Sequence, residues 1–101
     1  QAPRRMKVVY TDAALQDIDD LTVWLKANYP GIGKSVERRL RLVVAHIARW
    51  PESMRGSAHR PGVRVALLGR YPYKIFYRVR GDAVEILHVH HAARAPWDEQ
   101  A

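Results

Sequence analysis

Tyr71-Pro72-Tyr73-Lys74-Ile75-Phe76-Tyr77-Arg78-Val79-Arg80-Gly81-Asp82-Ala83-Val84-Glu85-Ile86-Leu87-His88-Val89-His90-His91 is the stretch that decides the fold. It reads as two strands joined by a tight turn at Gly81-Asp82. Aromatic and β-branched residues fill both flanks, as a pleated, half-buried surface prefers. The first strand alternates. Tyr73, Ile75, Tyr77 and Val79 share one face, and Lys74, Phe76, Arg78 and Arg80 share the other. One face is suited to a core and the other presents cations.

Working outward, a third strand is expected over residues 63–68, with Val63, Val65 and Leu67 on one face and Arg64, Ala66 and Leu68 on the other. Gly69-Arg70-Tyr71-Pro72 turns it into the hairpin, giving an antiparallel meander. Upstream, residues 51–61 read as a loop punctuated by Pro51, Gly56, Ser57 and Pro61. Before it, Val36, Leu40, Val43, Val44 and Ile47 line one face of a helix over residues 33–49, with Lys34, Arg38, Arg39 and Arg41 on or beside the other; Trp50-Pro51 ends it. An earlier helix starts at a Thr11 or Asp12 cap, carries Ala14, Leu15, Ile18, Leu21 and Leu25 on its apolar stripe, and stops before Pro30. Its carboxylates read as solvent-facing. Met6-Lys7-Val8-Val9-Tyr10 is a short strand. The order β-α-α-β-β-β predicts an α+β fold, an antiparallel helical hairpin packed on one face of a small, twisted, mostly antiparallel sheet.

The chain has 101 residues, 48% of them hydrophobic, enough for one domain and too few for two. The expected division is an N-terminal extension or cloning remnant over 1–5, one domain over 6–97 and a tail over 98–101. There is no cysteine, so disulfide and thiolate chemistry are excluded. No apolar run approaches the roughly 18–20 residues of a membrane span, and neither a signal peptide nor a membrane partner is expected. The formal charge of +7 is uneven. Up to Tyr29, Arg4, Arg5, Lys7 and Lys26 balance Asp12, Asp17, Asp19 and Asp20. From Pro30 to Trp97, thirteen cations face four acids, Glu37, Glu52, Asp82 and Glu85. Such a field favours a polyanion or an acidic protein partner.

Three groups of residues are candidates for chemistry. On the cationic strand face, Lys74 and Arg78 point the same way about 13 Å apart, with Phe76 between them and Arg64 expected alongside. Cations interleaved with an aromatic suit phosphate contact with base stacking, or an acidic peptide whose apolar side chains cover the ring. A solvated sheet face has the same pattern. Next, His88 and His90 share a strand face at a spacing open to two metal ligands. A zinc site needs a third, which would have to come from His46, His59 or a distant carboxylate, so no metal and no cofactor are assigned. His90 and His91 are also candidate acids or bases, because imidazole titrates near neutrality. Finally, Arg94 is expected to fold back beside the cationic face, and Trp97 to plug a core or a partner groove. There is no P-loop, dinucleotide fingerprint, nucleophile elbow or cysteine-based zinc pattern.

The chain from about Lys7 to Trp97 resembles the ParE/RelE superfamily of type II toxins. The resemblance rests on Val8-Val9-Tyr10-Thr11-Asp12-Ala13-Ala14-Leu15-Gln16-Asp17-Ile18, Trp50-Pro51, Arg60-Pro61-Gly62-Val63-Arg64, Tyr73-Lys74-Ile75-Phe76-Tyr77-Arg78-Val79 and Ile86-Leu87-His88-Val89-His90-His91-Ala92-Ala93-Arg94. It implies a bacterial, cytoplasmic toxin in a hetero-oligomer with a cognate antitoxin, whose C-terminal segment wraps the helical hairpin and sheet. RelE-like members are ribosome-dependent mRNA endoribonucleases that place Lys/Arg residues, and often a C-terminal Tyr, on the concave face. ParE-like members lack most of that set and poison DNA gyrase. Lys74 aligns with a ribonuclease arginine, whereas Arg55, Arg60 and Arg64 match the other basic positions loosely. Where ribonucleases keep an arginine and a tyrosine, this chain has Ala92-Ala93-Arg94 and then Trp97, which lacks a phenolic hydroxyl.

The ending therefore resembles the ParE-like branch. The resemblance implies a protein-binding poison that traps gyrase on its cleaved DNA, with Arg64, Lys74, Phe76, Arg78, Arg94 and Trp97 as partner contacts. The ribonuclease alternative would use Lys74, His90, His91 and Arg94. A non-toxic basic binding module is the third reading.

Overall fold

The computed structural model describes residues 5–58 and 60–92. The elements are β1 (Lys7–Tyr10), α1 (Asp12–Asn28), α2 (Gly33–Arg49), β2 (Arg64–Leu68), β3 (Tyr71–Arg80) and β4 (Ala83–His91). They follow the predicted order. Thr11 caps α1 by accepting a hydrogen bond from the Ala14 N–H at 3.1 Å. Pro30 and the residues after it separate the helices. The Tyr29 and Trp50 N–H groups close the two helix ends on the Leu25 and His46 carbonyls.

One four-stranded sheet has the order β1-β4-β3-β2. β2, β3 and β4 form the antiparallel meander, and β1 adds to β4 in parallel, Lys7 opposite Ala83 and Tyr10 opposite Ile86. Gly81 turns the hairpin at φ 60°, a left-handed conformation that glycine adopts without steric cost. The helices cover one face. Leu25 of α1 and Val36, Leu40, Val44 and Ile47 of α2 pack on Ala66, Leu68, Tyr73, Ile75, Tyr77, Val84, Ile86 and Val89 of the sheet.

Three details depart from the sequence reading. Leu15, assigned to the α1 stripe, is 53% exposed. Phe76 is only 3% exposed although it lies on the face away from the helices. The third departure is a bulge in β4: Phe76 pairs with His88 but Tyr77 pairs with Ile86, so Leu87 is an extra residue. Strict alternation would put Ile86, His88 and His90 on one face, with the histidines in the core. The bulge shifts the phase by one residue. Ile86 and Val89 both reach the core, opposite Tyr77 and Ile75, while His88 and His90 pair with Phe76 and Lys74 on the open face.

The outer edge of β4 is satisfied without a strand beyond Tyr10. The Thr11 N–H donates to the Ile86 carbonyl at 3.1 Å, and Thr11 Oγ1 reaches the Ile86 and Leu87 carbonyls, each at 3.0 Å. Asp17 Oδ2 then accepts the Val89 N–H at 3.0 Å. The start of α1 thus replaces β1 as the partner of the C-terminal half of β4.

Candidate functional site on the open face of the sheet

Lys74 and His90 are direct cross-strand partners on the open face. Lys74 Nζ sits 5.8 Å from the Phe76 ring centroid, and the Phe76 ring meets His90 edge-on at 5.8 Å. Phe76 is thereby part of the packing of this face rather than an exposed platform. A groove of about 310 Å³ runs beside it, lined by Arg55, Ser57, Val65, Leu67, Lys74 and Phe76 among others. Leu67 is 62% exposed on its wall. The 51–58 loop contributes Arg55 and Ser57, of which only Arg55 has a sequence signal, its loose match to a basic position.

Arg64 does not join Lys74. It pairs with Tyr77, on the core face, and its Nη1 donates to the Met54 carbonyl at 2.5 Å and the Glu52 carbonyl at 3.4 Å. The expectation of a shared cationic face fails because register, not composition, sets which way Arg64 points. Tyr77 holds the same turn by donating its hydroxyl to the Pro51 carbonyl at 2.7 Å. Burial raises the Tyr77 phenol above its ordinary value, against lowering contributions from Arg64 and a backbone hydrogen bond with Met54. Arg78 is on the open face as expected, but its Nε is 2.6 Å from Glu85 Oε1, and Arg80 lies 3.9 Å from the same carboxylate. His91 pairs with Tyr73, whose ring it meets edge-on at 5.4 Å, so it faces away from Lys74. Arg94 and Trp97 lie outside the described residues.

Asp17 is the residue that the sequence reading missed. Its Oδ2 is 2.9 Å from His88 Nδ1 and 3.6 Å from His90 Nε2, and its side chain is 17% exposed. The solvent-facing assignment fails because Asp17 stands three residues after Ala14 and four before Leu21, on the border of the buried stripe. That spacing was the available signal.

A helical hairpin on one face of this sheet, with a groove carrying Lys74 on the other, is the RelE/ParE-like architecture of type II toxins. The fold is similar to that of the chromosomal ParDE toxin–antitoxin system from P. aeruginosa, at TM-score 0.75 and 22% identity over 86% of this chain and 96% of that one. It is also similar to the RelBE2 toxin–antitoxin complex from Mycobacterium tuberculosis (TM-score 0.61, 24% identity, 89% and 94% of the two chains). The isolated E. coli RelE toxin aligns at TM-score 0.65 and 16% identity over 94% and 93%. A comparison with curated proteins finds no significant match. Residues 8–96 match the family described as ParE toxin of type II toxin-antitoxin system, parDE, and the chain belongs to that family.

Proposed function

We propose that this toxin acts by binding rather than catalysis, engaging DNA gyrase on its bound DNA and trapping the cleaved intermediate. The observation that carries this reading is the state of the open face. The imidazole beside Lys74, that of His90, is 3% exposed and lies 3.6 Å from the Asp17 carboxylate. General acid–base cleavage of RNA needs such a group within reach of the reacting hydroxyl. Arg78 is engaged by Glu85. Lys74 and the exposed Arg55 suit charge-assisted contacts with a protein or a DNA backbone instead. Membership of the ParE family supports the same reading.

The second partner is a cognate antitoxin, forming a hetero-oligomer in the bacterial cytoplasm. Two structural neighbours, a ParDE system and a RelBE2 toxin–antitoxin complex, support it. A groove of about 400 Å³ between the helices has Ile18, Leu21, Leu25, Val36 and Leu40 in its lining together with Lys26 and Lys34. An amphipathic acidic C-terminal segment matches that lining. Among the described residues no helix is long and apolar enough to cross a membrane.

The test is a gyrase assay with antitoxin-free protein, supercoiled plasmid and ATP. Protein-linked linear DNA, suppressed by antitoxin, is expected. Folded protein that yields no cleaved DNA refutes the proposal. The adjacency of Lys74 and His90 favours one other reading, ribosome-dependent mRNA cleavage, which the same preparation tests in a translation extract.

A further inference from the structure

We infer that Asp17, His88 and His90 form a binding site for a divalent transition-metal ion of the zinc class. The inference does not depend on the toxin's target. One donor atom from each residue, two imidazole nitrogens and a carboxylate oxygen, lie within 4.8 Å of one another. Asp17 Oδ2 stands 2.9 Å from His88 Nδ1 and 3.6 Å from His90 Nε2. Metal–ligand bonds of about 2.0–2.1 Å in a tetrahedron set donor atoms roughly 3.3 Å apart. The two carboxylate–imidazole separations bracket that figure, and the three donor atoms, all within 4.8 Å of one another, must draw together around an ion.

The donor set selects the metal class. Two neutral imidazoles with one carboxylate are nitrogen-rich and suit zinc, cobalt, nickel or copper; calcium and magnesium demand oxygen ligands. The carboxylate offsets part of the ion's charge in a site whose side chains are 17%, 23% and 3% exposed. The surrounding structure orients the ligands. The Val89 N–H, donating to Asp17 Oδ2 at 3.0 Å, fixes the carboxylate in the way second-layer contacts do in metal sites. Alternation keeps both imidazoles on one face, the β4 bulge makes that the open face, and their ring centroids are 4.8 Å apart.

Three protein ligands leave a fourth position. A groove of about 320 Å³ between α1 and the end of β4, lined by Asp17, Asp20, Trp24 and His90 among others, gives it access to solvent. Two ligands come from β4 and one from α1, so a bound ion clamps the helix to the strand just past the end of β1. Each ligand must give up its proton or hydrogen bond to bind, so binding competes with the Asp17–His88 contact.

The test uses untagged, chelator-treated full-length toxin and Co²⁺ and Zn²⁺ as the probes. We expect one Co²⁺ per chain with the intense visible absorption of a tetrahedral site, its displacement by Zn²⁺, and a rise in Tm with Zn²⁺ concentration. His88→Gln and Asp17→Asn are expected to weaken Co²⁺ binding by roughly 100-fold or more, since each removes a ligand, whereas His91→Gln leaves it unchanged. His88→Gln keeps the Asp17–Val89 bond, so it reads metal binding in a chain that still folds. Absence of stoichiometric binding in the parent chain, or binding retained in His88→Gln but lost in His91→Gln, overturns the assignment.

Discussion

Replacing Tyr77 by Phe removes one oxygen from a side chain that is 0% exposed and leaves the ring in place. The lost group donates to the Pro51 carbonyl at 2.7 Å. An unpaired acceptor and a lost bond at a partly buried turn cost about 1–2 kcal/mol. For a domain of this size that lowers Tm by roughly 5–15 °C. Arg64 holds the neighbouring Met54 and Glu52 carbonyls, so Arg64→Met, which keeps an apolar stem, is expected to cost about 1.5–3 kcal/mol. Both substitutions release the same turn. Once one anchor is gone the other holds a looser segment, and the double variant should lose at least about 0.5 kcal/mol less than the sum. Thermal and urea unfolding of the four proteins, followed by circular dichroism, measures the cycle. A Tyr77→Phe change below about 0.3 kcal/mol, or strict additivity in the double variant, refutes the idea that these side chains jointly staple residues 51–54.

Four further outcomes follow from the same geometry. Asp17→Ala, which strips the Val89 N–H of its acceptor, should cost about 2 kcal/mol and abolish slow hydrogen exchange at Val89, while Asp17→Asn keeps an acceptor and should cost less. Burial raises the phenol pKa of Tyr10, Tyr73 and Tyr77, so each binds its proton more tightly folded than unfolded. Their contribution is complete below the ordinary value of about 10 and is lost as pH climbs through the raised folded values; urea midpoints from pH 8 to 11 should fall only at the alkaline end. Gly69→Ala puts a side chain at φ 65° and against the Arg39 guanidinium, a loss of about 1–2 kcal/mol by chemical denaturation. Lys74→Glu combined with Arg78→Glu should weaken both antitoxin binding and toxicity on expression; survival of both activities removes that face from the interface.

The helices were legible because their signals are local. Spacings of three and four, Thr11 at one end, Pro30 and Trp50-Pro51 at others, act within a few residues and need no knowledge of the rest of the chain. The hairpin was legible for the same reason, from Gly81-Asp82 between alternating flanks. What was hidden depends on pairing between distant segments. Nothing local in Lys7–Tyr10 says that it joins β4 in parallel. Arg64 looks like any cation on a strand until its register places it opposite Tyr77. The bulge leaves no mark in Glu85-Ile86-Leu87-His88-Val89, because every residue there is compatible with uninterrupted alternation. The candidate site was half visible: Lys74 and the His88/His90 pair stood out by type and spacing, while Asp17 comes from another element, 71 residues before His88.

Two of the hidden features, the β4 bulge and the placement of Asp17, lie where the short first strand ends. β1 stops opposite Ile86, yet β4 continues to His91 and needs partners for its outer edge. An open strand edge is both costly and a template for unwanted pairing. Thr11 takes the carbonyls at the bulge and Asp17 takes the next inward N–H, so the edge is closed by the beginning of a helix. The bulge in turn keeps two polar rings out of the core. Asp17 is therefore held in place by folding itself, and its approach to His88 and His90 requires no further ordering of the carboxylate. A ligand that uses all three side chains meets a constellation whose entropy cost has largely been met before it arrives.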